Sequence, residues 1–161
     1  MNKVGNKIWF AVTMLLVIVL DQISKQYVTS IFNLGDVREV IPNLFNLVLT
    51  YNPGVAFGFL GNVAPGVRYI LLGITTVIAL GVLLTFLVKD FKHDPIGKLA
   101  IAGIIGGAIG NIIDRVRYGH VIDFLDFYIK DMHWPAFNIA DSAICIGVGI
   151  ILLRGGAKGS S

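Results

Sequence analysis

Tyr69–Val88 reads YILLGITTVIALGVLLTFLV, twenty residues without a charge. At 1.5 Å per residue such a helix matches a hydrocarbon core of about 30 Å, so the run is expected to cross a membrane. Outward from it, three more apolar runs have the same scale: Ile8–Val28 before it, and Ile96–Ile113 and Pro135–Leu153 after it. The first could pass for the core of a signal peptide, but no small-residue cleavage pattern follows, and it continues into Asp21, Ser24 and Lys25. The expected fold class is an all-α integral membrane protein of four transmembrane helices, with residues 1–161 forming one membrane domain.

Composition points the same way. Of 161 residues, 55% are hydrophobic and 14% charged, and the mean hydropathy is +0.78. That leaves too little polar surface for an ordinary soluble domain and excludes a disordered chain. Thirteen Lys and Arg against ten Asp and Glu exclude the basic face of a nucleic-acid binder. The net charge of +3 instead fits Lys and Arg beside anionic headgroups. The single cysteine, Cys145, lies in ICIGVGIILL with no basic neighbour and is read as a packing residue.

Four spans put both termini on one side. Seven Lys and Arg fall in the N-terminus, the 89–98 connection and the C-terminal tail, five in the two connections opposite, and Lys25 within the first span. The excess places both termini in the cytoplasm. Residues 29–66 carry VREVIPNLFNLVL (37–49) between turn signals such as Asn52-Pro53-Gly54, which suggests a small β-rich periplasmic or extracellular flap between helices 1 and 2. Residues 116–136 mix Tyr118, Phe124, Phe127, Tyr128 and Trp134 with polar groups, as an outer interfacial segment does. In the third span, Gly103/Gly107 and Gly106/Gly110 mark faces that another helix backbone can approach closely. The Gly/Ser-rich end, GGAKGSS, reads as a frayed tail.

With the spans alternating in direction, the unusual polar groups gather at one depth on the outer side. Asp21 and Lys25 are four apart, Asn111 lies three before Asp114 and four before Arg115, and Asn138 lies three before Asp141. Asn52 and Asp123 lie in the outer segments. Charges at membrane depth are costly and face bundle interiors with partners. A structural ion pair would account for Asp21 and Lys25, and a water boundary for Asp114 and Arg115. Asp141, inside the first turns of an apolar helix, is not explained that way. Asp123, in HVIDFLDF, fits either an extended strand with Val121 and Leu125 on its side or a helix pairing it with His120 or Phe127. His93, His120 and His133 show no metal-ligand spacing, and Ser24 beside Lys25 points a different way on a helix, so neither a metal site nor a Ser/Lys hydrolase is expected.

Five stretches, LDQISK (20–25), YNPGVAF (51–57), GGAIGNIIDR (106–115), GHVIDF (119–124) and FNIADSAI (137–144), together resemble the lipoprotein signal peptidases, the type II signal peptidases of bacteria, over nearly the whole chain. The resemblance implies an aspartic endopeptidase of the bacterial inner membrane, its active site toward the outer leaflet. It would cut diacylglyceryl-modified prolipoproteins just before the lipidated cysteine. It assigns the catalytic pair to Asp123 and Asp141, and substrate-binding or supporting roles to Asn52, Gly54, Asn111, Arg115, Asn138, Asp21, Lys25 and Asp114. It implies no metal or other cofactor, membrane lipids as surroundings, no nucleic-acid partner and a monomer. Pro53 and Val55, on either side of Gly54, depart from the small or polar residue and the Ala expected there. The alternative from another class, a small ion- or proton-coupled transporter, would need polar groups continuing to the cytoplasmic side, and the spans show almost none.

Overall fold

The computed structural model of the chain describes residues 3–54, 78, 81–82, 85, 91 and 94–158. Three long helices carry the polar cluster. Helix α1 (Lys3–Ile31) is apolar over most of its length and ends beside the sheet. Helix α2 (Pro95–Tyr118) begins where Asp94 accepts hydrogen bonds from the N–H groups of Ile96 and Gly97, both at 3.1 Å, with Pro95 pre-set for the first turn. It stops at Gly119, whose φ of +75° closes the helix with an N–H bond to the Arg115 carbonyl. Helix α3 (Ile139–Lys158) follows the sheet, and its Arg154 returns to pair with Asp94.

Helix α2 lies between the other two, and its glycines decide how closely. A Cβ on Gly110 would stand 2.6 Å from an Asp21 carboxylate oxygen of α1, and one on Gly107 would strike the Ala140 carbonyl of α3. The two predicted small-residue faces thus serve two neighbours, Gly106 and Gly110 against α1, Gly107 against α3.

The sheet is antiparallel with strand order β1-β2-β3-β4, formed by Val37–Ile41, Phe45–Asn52, Val121–Ile129 and Met132–His133. Strand β2 pairs with β3 so that Thr50 opposes Asp123 and Asn52 opposes Val121. After β4 the chain turns back, and Phe137 exchanges hydrogen bonds with Leu125 before α3 starts. Val28 and Phe32 of α1 pack with Leu49, Ile122 and Phe124 into one apolar cluster beneath the sheet.

The all-α expectation is corrected by this sheet. The flap predicted between the first two helices supplies only half of it; the other half comes from residues 116–136, where Val121–Ile129 satisfies its backbone groups by pairing with β2. The helix limits move for similar reasons. Helix α2 runs past the expected end at residue 113 to its glycine cap, and α3 begins at Ile139 rather than near Pro135, because Phe137 is still paired to β3. The tail expected to fray is helical through Lys158. Cys145 is exposed on α3 rather than packed inside. Of the expected second span, residues 69–88, only Ile78, Gly81, Val82 and Thr85 are described, each helical; the rest lies outside the described residues, as does Val55. Lys7–Ile31 and Pro95–Tyr118 are long and apolar enough to cross a membrane.

Candidate active site

The i, i+4 spacing in α1 brings the Lys25 ammonium 2.8 Å from Asp21. The close packing of α2 brings Asp114 to the same ammonium, also at 2.8 Å, and the Asn111 side-chain oxygen accepts from it at 3.0 Å. All three charged residues are buried, at 0% exposure for Asp21, 2% for Lys25 and 1% for Asp114. Each remaining carboxylate oxygen is also committed. The second oxygen of Asp21 accepts from the Ala140 N–H at 2.9 Å, at the start of α3; the Asp114 oxygen that meets Lys25 also accepts from the Ile122 N–H at 3.2 Å, at the start of β3, and its other oxygen accepts from Gln22 at 2.9 Å. The Gln22 side-chain amide donates to both carboxylates. One ion cluster therefore ties α1, α2, α3 and β3 together.

Two asparagines lead from this cluster to the predicted catalytic residues. Because the Asn111 oxygen faces Lys25, its NH₂ must face the other way, and it donates to Asp141 at 2.8 Å. Asn138 caps α3 by accepting from the Asp141 N–H at 2.9 Å, which turns its NH₂ onto Asp123 at 2.7 Å. The cross-strand placement of Asn52 lets it donate to the other oxygen of Asp123 at 3.0 Å. Asp123 is 2% exposed and accepts at both oxygens; Asp141 is half-buried and has one oxygen without a partner among the described residues. Burial pushes the Asp123 carboxyl up to about 6, and the nearby charge of Asp141 adds to the rise against the lowering bonds from Asn52 and Asn138.

Arg115 bonds its own Asn111 carbonyl at 3.2 Å, and its charge acts on Asp141, Asp123 and Asp114. Its Nε is buried without a hydrogen-bond partner among the described residues, an unusual condition for a guanidinium and one that an incoming acceptor would relieve. Asn52 also accepts from the Gly54 N–H at 2.9 Å, an Asx turn in which Pro53 fixes one φ and Gly54 supplies φ +82°. The departure at Pro53 thus stiffens the turn that holds Asn52 on Asp123.

A family model described as signal peptidase (SPase) II matches residues 13–155, a stretch that includes every one of these side chains. The chain belongs to the signal peptidase II family. This is a family of aspartic peptidases. Among relatives, the lipoprotein signal peptidase of Syntrophotalea carbinolica is 45% identical over 139 residues, covering 86% of this chain and 84% of its own. That of Syntrophus aciditrophicus is 47% identical over 141 residues, covering 88% of each chain. A bacterial membrane enzyme solved by the in meso method aligns with a TM-score of 0.79 at 35% identity, over 90% of both chains.

In this signal peptidase II family member, the ten residues singled out in the sequence fall into one connected network. Sequence reasoning missed Gln22, which joins Asp21 to Asp114 and also bonds the Gly110 carbonyl at 3.2 Å. Its position next to Asp21 gives no periodic signal; only the glycine-mediated approach of α2 puts Asp114 within its reach.

Proposed function

We propose that this chain removes signal peptides from prolipoproteins as an intramembrane aspartyl endopeptidase, cutting before a cysteine that carries a diacylglyceryl group. The observation that supports it most is the run Asp123–Asn138–Asn111–Asp141, in which two amides hold two carboxyls at the sheet–helix junction. The family assignment offers no support to a transporter.

Two carboxyls in a poorly solvated site cannot both ionise cheaply, so the pair holds one proton. The ionised member takes a proton from water as the water oxygen attacks the scissile carbonyl carbon, and the protonated member hydrogen-bonds the carbonyl oxygen. Collapse of the tetrahedral intermediate breaks the C–N bond, and a carboxyl proton goes to the departing amine. The signal peptide leaves with a new carboxylate and the lipoprotein with a free cysteine amine. Asn52, Asn111 and Asn138 fix the two carboxyls. Arg115 offers its fork to peptide carbonyls, Gly54 forms the turn behind Asn52, and Asp21, Lys25 and Asp114 form the frame.

The apolar helices, together with the run at residues 69–88, support four spans in the bacterial inner membrane. Both termini then face the cytoplasm and the aspartates open toward the outer leaflet, where a diacylglyceryl anchor places its peptide bond. Each acyl CH₂ held by the bilayer contributes about 0.8 kcal/mol, so the anchor supplies much of the binding before any peptide contact. The enzyme acts as a monomer among membrane lipids, without cofactor or nucleic acid. Matched kinetics on lipidated and unlipidated precursors test the reading: the lipidated one is cut far faster, and equal rates at equal membrane concentration would refute lipid-dependent recognition. Labelling of cysteines placed at Asn2 or Lys158 from outside intact cells would overturn the topology.

A further inference from the structure

A cavity of about 230 Å³ opens beside the Lys25–Asp114 pair, and none of Asp123, Asp141, Asn111, Asn138 or Arg115 lines it. Its volume is far above the roughly 10–15 Å³ that one water needs. No step of the proposed cleavage uses it.

Part of the polar lining of this cavity is unspent among the described residues. Gln22 and Gln26 come from α1, Arg117 and Tyr118 from the last turn of α2, and Tyr51 and His120 from the neighbouring strand and turn. The Lys25 charge is already shared by Asp21 and Asp114, whereas Arg117 has no ion pair or hydrogen bond among the described residues. The Tyr51 and Tyr118 hydroxyls and the Gln26 amide are likewise without a partner there. His120 stacks on Tyr51 at 4.0 Å and lies 6.1 Å from Tyr118, an aromatic wall that orients the ring beside Arg117. A guanidinium with neighbouring phenol, imidazole and amide donors suits a phosphate group, which accepts several hydrogen bonds and pairs with Arg in bidentate fashion.

Two apolar tracks lead to the cavity from the membrane side. Leu15 and Val19 share the α1 stripe of Gln22 and Gln26 and are 55% and 48% exposed. On α2, Ile109 and Ile113 lie eight and four residues before Arg117 on one stripe. A polar chamber over apolar tracks has the shape of an amphipathic ligand rather than of a free ion.

We propose that this cavity seats the phosphate of an outer-leaflet phospholipid, with Arg117 making the charge-assisted contact and the acyl chains lying along the α1 and α2 stripes. The proposal requires only that α1 and α2 span the membrane, and stands apart from the cleavage reaction. Because Lys25 and Asp114 line the cavity and Asp114 holds the Ile122 N–H, a bound lipid braces the frame under the strand that carries Asp123.

The test uses the full chain in an uncharged maltoside detergent, titrated separately with phosphatidylglycerol, with diacylglycerol of the same chains and with inorganic phosphate. Lipid retention is read by native mass spectrometry and cavity occupancy by the ¹⁵N resonances of the His120 ring. Phosphatidylglycerol is expected to be retained and to shift His120, with diacylglycerol doing neither. Arg117→Gln should weaken binding about tenfold, and Arg117→Lys, which keeps the charge, should recover part of it. Thermal unfolding of the variants confirms that they are folded. Equal binding by wild type and Arg117→Gln, or equal retention of diacylglycerol, overturns the site. Saturation of the His120 shift by inorganic phosphate at the lipid's own concentration overturns the lipid as its source. Precursor cleavage plays no part in either readout, so the outcome is independent of the proposed peptidase activity.

Discussion

Asp21 and Asp114 on one side, and Asp123 and Asp141 on the other, are pairs of acids in the same polar core, yet their oxygens are used differently. Every oxygen of Asp21 and Asp114 is taken by Lys25, Gln22 or a backbone N–H, and both side chains are closed to solvent. Asp141 keeps an oxygen without a partner among the described residues and is half-buried, with the unsatisfied Nε of Arg115 in the same region. Acids paired to a cation and to backbone N–H groups hold elements together, whereas Asp123 is held at both oxygens by neutral amides alone and Asp141 keeps one oxygen open among the described residues. Burial alone does not separate the two pairs, since Asp123 is as buried as Asp21 and Asp114.

The largest expected effect separates the pairs outright. Asp123→Asn and Asp141→Asn should each lower kcat by about 10³–10⁴-fold while leaving the thermal transition in place, since each change removes proton chemistry and little volume. Cleavage of lipidated precursor, measured beside circular dichroism, checks this; near-normal turnover in either variant would sink the aspartyl assignment. Lys25→Met should do the reverse. It leaves two buried carboxylates unpaired and is expected to cost about 3–5 kcal/mol of stability, with activity lost through unfolding. A stable but inactive Lys25→Met would move that lysine from the frame into the reaction.

Gly110→Ala probes the frame more gently. Its methyl would sit 2.6 Å from Asp21, and forcing α1 and α2 apart is expected to cost about 1–3 kcal/mol, read as a lower denaturation midpoint with kcat little changed at low temperature.

The pH profile sharpens the catalytic side. With the Asp123 carboxyl pushed up to about 6, the one-proton state is lost as pH rises through that value, so the alkaline limb of kcat/KM should lie near pH 6. The limb of kcat should lie higher, because a bound peptide excludes water from the pair. Asn52 stabilises the Asp123 carboxylate, so Asn52→Ala should move the kcat/KM limb upward by about one unit. A downward move would show that Asn52 acts some other way. The smallest effect belongs to Cys145→Ala, which alters an exposed position on α3 and should change stability by less than about 0.5 kcal/mol in a melt, without slowing cleavage.

Much of the site was legible because its members lie close in sequence. The four-residue step from Asp21 to Lys25 becomes a 2.8 Å ion pair, and the three-residue step from Asn138 to Asp141 becomes a helix cap, since helical periodicity alone fixes both. Contacts made across the fold were harder to read. Asp126 is held by Asn46 from a strand 80 positions away and by His133 from the return strand, and no local pattern announces either partner. The sheet was underestimated for the same reason: nine mostly apolar residues with acids three apart, Asp123 and Asp126, are compatible with an interfacial helix until a partner strand supplies the hydrogen bonds.

The sequence by itself determined the membrane-like apolar runs, the family motifs, the acids of the polar core and the glycine faces, because each depends on composition or on spacing within one element. Only the tertiary structure decided that Asp123 stands on a strand, with Asn52 donating to it from 71 positions earlier, and that its other oxygen meets the cap of α3. It also decided that Asp114 would close on Lys25 of another helix while Asp141 would not. Strand register and helix approach are set by pairing and packing between distant segments, and a linear pattern carries neither until the chain has folded back on itself.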